Sequence, residues 1–535
     1  MIPTRLTPDV IRQNSGPGLW EDNLIDGYLS EAAAHAPERA AVVDRGRSWS
    51  YGELDERVNR FASALRSRGI EHGDVVSWIL PNWVEALIVH HAALRIGAIS
   101  NPIMPIYRHA ETRFILQQAH SKVVIVPQRF RGFDYVAMIN DIFEDLPNLE
   151  TVVVVGAGDR PATGWSVGFE VLLDEGQTDP IEPTGRNAND LALLLYTSGT
   201  TSDPKGVLHT HNTLDYENRS IIEFFGLTAS DVVFMPSPVG HIIGVLYGMQ
   251  LPFMLNVPVV LLDIWEPGEA LGLLSAHSCT FVVAATPFLH GIVHHPNLPE
   301  TDVSSLRIFA CGGAGVPPEL IRVATTALNC VVSRGYGSTE CPTVTASNAS
   351  DPPAKHATTD GRPIGSAAVR LSDKGELLVR GPEMFVGYLD GALDAEAFTD
   401  DGWFYTGDLA RLDSDGYVEI TGRDKDIIIR GGENISAKEV EDLLFEHPKI
   451  DDIGIVAFPD PILGERVCAV VVLDRGETVT LAEIADWLTA RKIARQKLPE
   501  RLIVIDELPR TASGKVQKFK LRDLARSRAL TSTES

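Results

Sequence analysis

The chain has 535 residues, of which 44% are hydrophobic and 22% charged, a balance near the globular average and unlike that of a disordered or fibrous protein. Its length exceeds the size at which one hydrophobic core stops growing, so two or more domains are expected. The 47 basic against 72 acidic side chains leave a formal charge of −25. A field of that sign repels phosphate backbones, which excludes nucleic acid as a natural partner and requires any anionic substrate to be held by local groups.

Arg5, Asp9 and Arg12 stand where a signal peptide needs an unbroken apolar run, so export is not expected. The five cysteines (Cys279, Cys311, Cys330, Cys341, Cys468) show neither metal-ligand spacing nor the even count of a disulfide framework, and a reducing cytoplasm is the expected compartment. From about residue 40 to 370, helical stretches such as Tyr51–Arg68 and Trp83–Ile96 alternate with short β-branched runs such as Val75–Ile79 and Lys122–Val126. This alternation predicts parallel sheets covered by helices. The uncharged stretch Val232–Leu262 is cut by Pro236, Pro238, Pro252 and Pro258; it reads as a buried helix followed by the strand Val257–Leu262, not as a membrane span.

Between about 366 and 422, short strands with turn signals predict a small antiparallel β subdomain. A charged segment, Asp424–Asp426, then precedes the apolar run Ile427–Ile429 and a helix that Ser436 can cap with Glu439 three residues on. The rest, with strand candidates Ile453–Phe458, Val467–Leu473 and Leu502–Ile505 and a helix near Leu481–Arg495, is enough for an α+β domain of about 110 residues. The tail beyond about Arg526 is too polar to pack.

Directly after the apolar run Leu191–Leu195 comes Tyr196-Thr197-Ser198-Gly199-Thr200-Thr201-Ser202-Asp203-Pro204-Lys205-Gly206. Hydroxyls and backbone N–H groups on such a loop can cradle polyphosphate, and Lys205 adds positive charge. The order of lysine and glycine is not that of a Walker loop. With this segment, YGSTE (336–340), YTGD (405–408), GRDKDIIIRGGENIS (422–436) and PRTASGKVQK (509–518), nearly the whole chain resembles the adenylate-forming superfamily of acyl-CoA synthetases, adenylation domains and luciferases. HATTDGRPIG (356–365) and GGENISAKEVEDLLFEHPKI (431–450) look most like medium-chain and cyclohexanecarboxylate CoA ligases.

The resemblance implies an α/β architecture: a large adenylation domain (1–423) of parallel-sheet subdomains plus the β subdomain, a hinge at 424–426 about Lys425, and a mobile α+β domain (427–535). It implies ATP, Mg²⁺ and coenzyme A. Ser198, Gly199, Thr200, Thr201 and Lys205 would hold the phosphates, and Glu340 with Thr197 would place the metal, a hard cation that takes oxygen ligands. Tyr336 and Gly337 would flank the adenine, Thr339 would face the α-phosphate, and Gly312, Gly313 and Ala314 would bring backbone to the ring. Asp408 would accept the ribose hydroxyls, Arg423 would bind ribose and phosphate, and Lys515 would be the catalytic lysine stabilising charge on the α-phosphate. Gly432 would pass the pantetheine arm.

His241 reads equally as an acyl-tunnel residue or a satisfied core histidine, while His209 and His211 read as a solvated helix start. Ser202 stands where most members carry glycine. The tunnel is expected between His241–Leu246, Phe288, Cys311–Gly315 and Cys341–Thr345, with Gly240 and Gly244 among the glycines leaving room for a ring. These segments hold no Lys or Arg, so a medium-chain or alicyclic monocarboxylate is expected and dicarboxylates and amino acids should fail. A carrier-protein acyl-AMP ligase, a luciferase-like oxygenase, a long-chain ligase and a non-enzymatic scaffold are the rival readings, and a homodimer is among the open assemblies.

Overall fold

The computed structural model describes residues 2–156, 165–178, 181, 185–197, 204–313, 315–511 and 514–531, without the side chains of 528–531. Among these residues two large sheets carry most of the chain. One runs in the order Arg362–Pro363, Thr345–Ala346, Val331–Tyr336, Ile308–Cys311, Phe281–Ala284, Val233–Met235, Val259–Leu261, Ala40–Asp44, Arg47–Ser50; the other runs Lys205–Thr210, Leu191–Thr197, Ile99–Pro102, Val75–Trp78, Val123–Pro127, Thr151–Val155, Ser166–Gly168.

Helix Val84–Arg95, apolar on nearly every side, is buried at every position but Glu85, as a helix without a polar face must be. It shares one core cluster with Val42, Met235 and Phe281 of the first sheet and Val76, Trp78 and Leu193 of the second. Its neighbour, helix Tyr51–Ser67, starts on a reciprocal cap between Ser50 and Glu53 and buries Leu54, Val58, Phe61, Ala62 and Leu65, the i, i+4, i+7 spacing of one face.

The central strands pair in parallel, but Leu191–Thr197 and Lys205–Thr210 form an antiparallel hairpin, so the second sheet is mixed where a parallel one was predicted. A short loop can join only antiparallel neighbours. Val232–Leu262 folds as strand Val233–Met235, helices Ile242–Met249 and Leu251–Leu255, and strand Val259–Leu261: two helices where one was expected, because Pro252 opens the second. No helix among the described residues is long and apolar enough to cross a membrane.

The predicted β subdomain is an antiparallel sheet of Ala368–Leu371, Glu376–Arg380, Phe404–Leu412 and Val418–Arg423. Arg334, 2% exposed in the first large sheet, bonds Asp360 Oδ1 through Nε at 2.8 Å, and Asp360 Oδ2 accepts Ile420 N at 2.8 Å, tying the two sheets together. Arg334→Ala would leave a buried carboxylate unpaired, so a loss of about 3–5 kcal/mol is expected, measured as a lower denaturant midpoint.

The chain after Asp426 has its own sheet, Glu433–Ser436, Ile427–Arg430, Gly464–Leu473 and Ile450–Asp460, with Arg501–Val504 added in parallel, and its own apolar cores. Ser436 caps helix Ala437–Phe445 by accepting Glu439 N, as predicted. The helix predicted near Leu481–Arg495 is Leu481–Ala490. The terminal helix runs Lys518–Thr531, beyond the Arg526 boundary at which packing was expected to end. Leu521 and Ala525, both buried, hold it against strand Ile450–Asp460, and its last turn continues the backbone pattern.

Candidate active site

Strands Phe281–Ala284, Ile308–Cys311 and Val331–Tyr336 run in parallel register and end at one sheet edge, the place where open α/β sheets bind ligands. The segments leaving that edge are almost bare backbone. A Cβ on Gly312 would come within 2.8 Å of the Gly335 carbonyl, and one on Gly337 within 1.5 Å of that of Pro342, so glycine is required at both. They border a cavity of about 680 Å³ including its mouth, which also meets His241, Gly313, Tyr336, Thr339 and Lys515.

Beside it, Tyr336 OH donates to Asp408 Oδ2 at 2.7 Å, and Arg423 Nε donates to Asp408 Oδ1 at 2.6 Å. Asp408 and Arg423 meet because their strands pair in register, although 15 residues separate them. Asp408 is 4% exposed, yet an ionised carboxylate keeps lone pairs free after both contacts.

Glu340 is held at both oxygens: Ser338 Oγ donates to Oε2 at 2.9 Å and Tyr388 OH to Oε1 at 2.9 Å. Lys205 Nζ lies 5.3 Å from the Tyr388 ring centroid, and Thr197 pairs with Lys205 across the hairpin. Lys205, one stem of the loop expected to hold phosphate, thus stands against the ring that bonds Glu340, with Thr197, the other stem, paired to it; Ser198, Gly199, Thr200, Thr201 and Ser202, like Ala314, lie outside the described residues. Among the described residues no group of three or more His, Cys, Asp or Glu side chains could hold a metal. The Glu340 carboxylate with a hydroxyl at Thr197 fits a Mg²⁺ that completes its shell with water and substrate phosphate oxygens.

Lys515 reaches the cavity on a scaffolded loop. Arg510 grips both oxygens of Asp452 at 2.8 and 2.7 Å, Thr511 Oγ1 accepts Lys515 N at 3.0 Å, and a Cβ on Gly514 would touch Pro287 at 3.1 Å. Burial is the main reason the Lys515 ammonium is pushed down to about 8, with Arg423 adding to it and Asp408 and Glu340 opposing it. His241 caps helix Ile242–Met249, its Nδ1 accepting Ile243 N at 3.3 Å. Burial, then Lys515, pushes its ring down to about 3, so it is neutral at physiological pH. The residue is a satisfied helix cap, and its side chain also lines the cavity.

Lys425, in the turn Asp424–Asp426, is lowered by burial and by Arg423. Gly432 sits exposed at the turn between strands Ile427–Arg430 and Glu433–Ser436 and does not line the cavity that Lys515 occupies.

Three expectations need correction. His209 and His211 are 0% and 2% exposed, not solvated; His209 Nε2 donates to the Thr339 carbonyl at 2.7 Å, and His211 Nδ1 accepts Ile25 N at 3.2 Å. His209 lies in strand Lys205–Thr210, and the helix that His211 opens starts inside the molecule, where Ile25 of the N-terminal segment meets it. Phe288 packs on Trp265 with ring centroids 4.7 Å apart and does not line the cavity. Gly240 and Gly244 make room for protein instead of ligand: their Cβ positions face Met104 Sδ at 3.2 Å and the Pro238 carbonyl at 2.2 Å. Sequence reasoning missed Tyr388, whose part depends on a fold that brings it to Glu340, and also missed Glu217, which stands behind the cavity wall.

The family model for AMP-binding enzymes matches residues 29–389, and that for the AMP-binding enzyme C-terminal domain matches 439–515. The chain belongs to the AMP-binding enzymes. It is an adenylate-forming, AMP-forming acid–thiol ligase that uses ATP. Among the relatives of this AMP-binding enzyme, the medium-chain fatty-acid–CoA ligase of Escherichia coli (strain K12) is 38% identical over 94% of this chain and 91% of its own. A salicylyl-CoA synthase / salicylate adenylyltransferase of a Streptomyces is 34% identical over 96% and 95%. The ATP-bound structure of MatB from Rhodopseudomonas palustris superposes with a TM-score of 0.83 at 27% identity over 94% of this chain and 99% of that one. The anthranilate CoA ligase AuaEII in complex with anthranoyl-AMP, at 24% identity and a TM-score of 0.88 over 95% and 98%, shares the fold.

Proposed function

We propose that this enzyme activates a medium-chain or alicyclic monocarboxylate as its acyl-AMP and passes the acyl group to coenzyme A. The observation that carries the reading is the single cavity in which the Lys515 ammonium, the bare backbone at Gly312 and Gly337, and the apolar walls Ile221, Phe225 and Val283 meet. An apolar tail finds its burial there, while the carboxylate end lies by Lys515.

Tyr336 and the glycine backbone hold the adenine, Asp408 accepts the ribose hydroxyls, and Arg423, Thr339 and Lys205 with the loop Ser198–Thr201 hold ribose and phosphates. As carboxylate oxygen attacks the α-phosphorus and pyrophosphate leaves, Lys515 stabilises the charge gathering on the phosphoryl oxygens. Glu340 and Thr197 would hold a Mg²⁺, which would supply positive charge against the phosphates. Neutral His241 does not compete with Lys515 for the anion. In the second step the coenzyme A thiolate attacks the acyl carbon and AMP leaves.

The two steps need different neighbours, so the unit 427–535 turns about Lys425 relative to 1–423, withdrawing Lys515 and presenting Gly432 to the pantetheine arm. Lys515 inside the cavity and Gly432 outside it correspond to the adenylating arrangement. The five cysteines are free thiols, in keeping with work in the cytoplasm.

An aryl acid is the second reading, favoured by the salicylate- and anthranilate-activating relatives. Pyrophosphate and AMP release with and without coenzyme A, over acetate, octanoate, cyclohexanecarboxylate, benzoate, salicylate, palmitate and succinate, tests both. The expected result is coenzyme-dependent AMP release with the highest kcat/KM for octanoate or cyclohexanecarboxylate. Preference for benzoate or salicylate selects the aryl reading, preference for palmitate the long-chain class, and preference for acetate or succinate overturns the assignment. AMP release that ignores coenzyme A points to a carrier-protein ligase.

A further inference from the structure

The far wall of the acyl cavity is polar in one place. Tyr247 and Thr343 line it, and their hydroxyl oxygens are 2.5 Å apart. Behind them, Tyr247 OH lies 2.5 Å from Glu217 Oε1, and Glu217 also takes hydrogen bonds from Thr343. Glu217 is 1% exposed and Tyr247 2%. Glu217 shares helix His211–Phe225 with Ile221 and Phe225, at i, i+4 and i+8, so this one helix face supplies apolar wall and carboxyl together. A buried carboxyl costs stability unless its bonding is met; an apolar side chain would close the cavity at less cost, so an all-hydrocarbon substrate gives no reason for this cluster.

We propose that Glu217, Tyr247 and Thr343 form a subsite that binds a hydroxyl group carried by the acyl substrate at the end away from its carboxylate. This deepens the acyl-CoA synthetase reading and rests on it.

The hydrogens support a hydroxyl in particular. With Glu217 ionised, Tyr247 and Thr343 both donate to it, leaving a lone pair of the Thr343 oxygen as an acceptor toward the cavity. With Glu217 protonated the chain reverses: the carboxyl donates to Tyr247, Tyr247 to Thr343, and the Thr343 hydrogen turns toward the cavity. A ligand hydroxyl, donor and acceptor in one atom, satisfies either arrangement, while a methyl satisfies neither. Burial pushes Glu217 up to about 7 against the pull of Tyr247 and Thr343, so both arrangements are accessible near neutrality. Glu383, buried nearby, feels the Glu217 charge and is itself raised, to about 8, mainly by burial.

Position follows from the helix. Tyr247 lies six residues beyond the cap His241 in Ile242–Met249, about 9 Å along the axis at 1.5 Å per residue. The subsite therefore meets the far side of a ring, or a point well along a medium-length chain, and an α-hydroxyl would not reach it.

The test compares 4-hydroxycyclohexanecarboxylate with cyclohexanecarboxylate, and 8-hydroxyoctanoate with octanoate, by kcat/KM for AMP release and by calorimetric Kd of the matching acyl-sulfamoyl adenosines, which mimic the acyl-AMP without turnover. The full-length enzyme is expected to favour at least one hydroxylated member about five- to tenfold, as one added hydrogen bond in a buried site allows. Tyr247→Phe and Thr343→Val, made separately, are expected to bring that ratio to one or below whatever the absolute kcat/KM of the parent acid, and the thermal midpoint of each variant reports that it is folded. A ratio at or below one for both pairs in the unaltered enzyme overturns the subsite, as does a preference that survives both substitutions. If none of the four acids is turned over, the substrate reading of the preceding section fails, and the paired sulfamoyl adenosines on the unaltered enzyme still decide the subsite by the same ratio.

Discussion

Lys515→Ala is expected to lower acyl-AMP formation by about 10²-fold or more, the effect of losing one charge contact in a water-poor site. Thioester formation from supplied acyl-AMP and coenzyme A should stay close to that of the unaltered enzyme, because in the proposed cycle that step follows the withdrawal of Lys515. The scaffolding by Arg510, Asp452 and Thr511 holds the loop without the Lys515 side chain, so the variant should fold. The pH dependence carries the same assignment. Lys515 is pushed down to about 8, so its ammonium is lost as pH rises through about 8 instead of near the ordinary lysine value; kcat/KM for ATP, which reports free-enzyme groups, should fall on that side. Arginine stays charged throughout, so Lys515→Arg should lose this falling limb whatever its absolute rate. Equal losses in both half-reactions, or an unchanged limb in the arginine variant, would refute the role.

Lys425→Pro is expected to have the opposite signature. It lies in the turn Asp424–Asp426, between strand Val418–Arg423 and strand Ile427–Arg430, where a proline removes a backbone donor and fixes φ. Adenylation should change less than about threefold, since the present arrangement already seats Lys515 in the cavity. Thioester formation should fall by about tenfold or more, because reorientation requires the φ/ψ change that proline blocks. Single-turnover measurement of each half-reaction distinguishes them, and full coenzyme A turnover in the variant would refute the hinge at this residue.

The sequence by itself determined the class of the protein and most of its local structure. Helix–strand alternation, the Ser436 cap and the apolar run before Thr197 depend on neighbours in the chain, and each is found where the residues indicate. The motifs that carry the family resemblance are equally local, since each packs several polar groups into one turn.

What only the tertiary structure decided are the relations between segments. The Asp408 carboxylate is shared by Tyr336 and Arg423, and Glu340 is oriented by Tyr388; such bonds follow from sheet register and loop closure, which leave no mark in composition. His209 and His211, polar and beside a helix start, carry every local sign of exposure, yet Thr339 meets the first and Ile25 of the N-terminal segment the second, and their hydrogen bonds close inside. Gly240 and Gly244 were legible as spaces but not as spaces filled by Met104 and Pro238. Glu217 shows the limit most clearly: a glutamate in a polar helix reads as solvent-facing, and only the approach of Tyr247 and Thr343 from elements far along the chain makes it a buried acceptor at the wall of the acyl cavity. Burial of a polar side chain is a property of what folds over it, so it is settled by packing and not by the residues on either side.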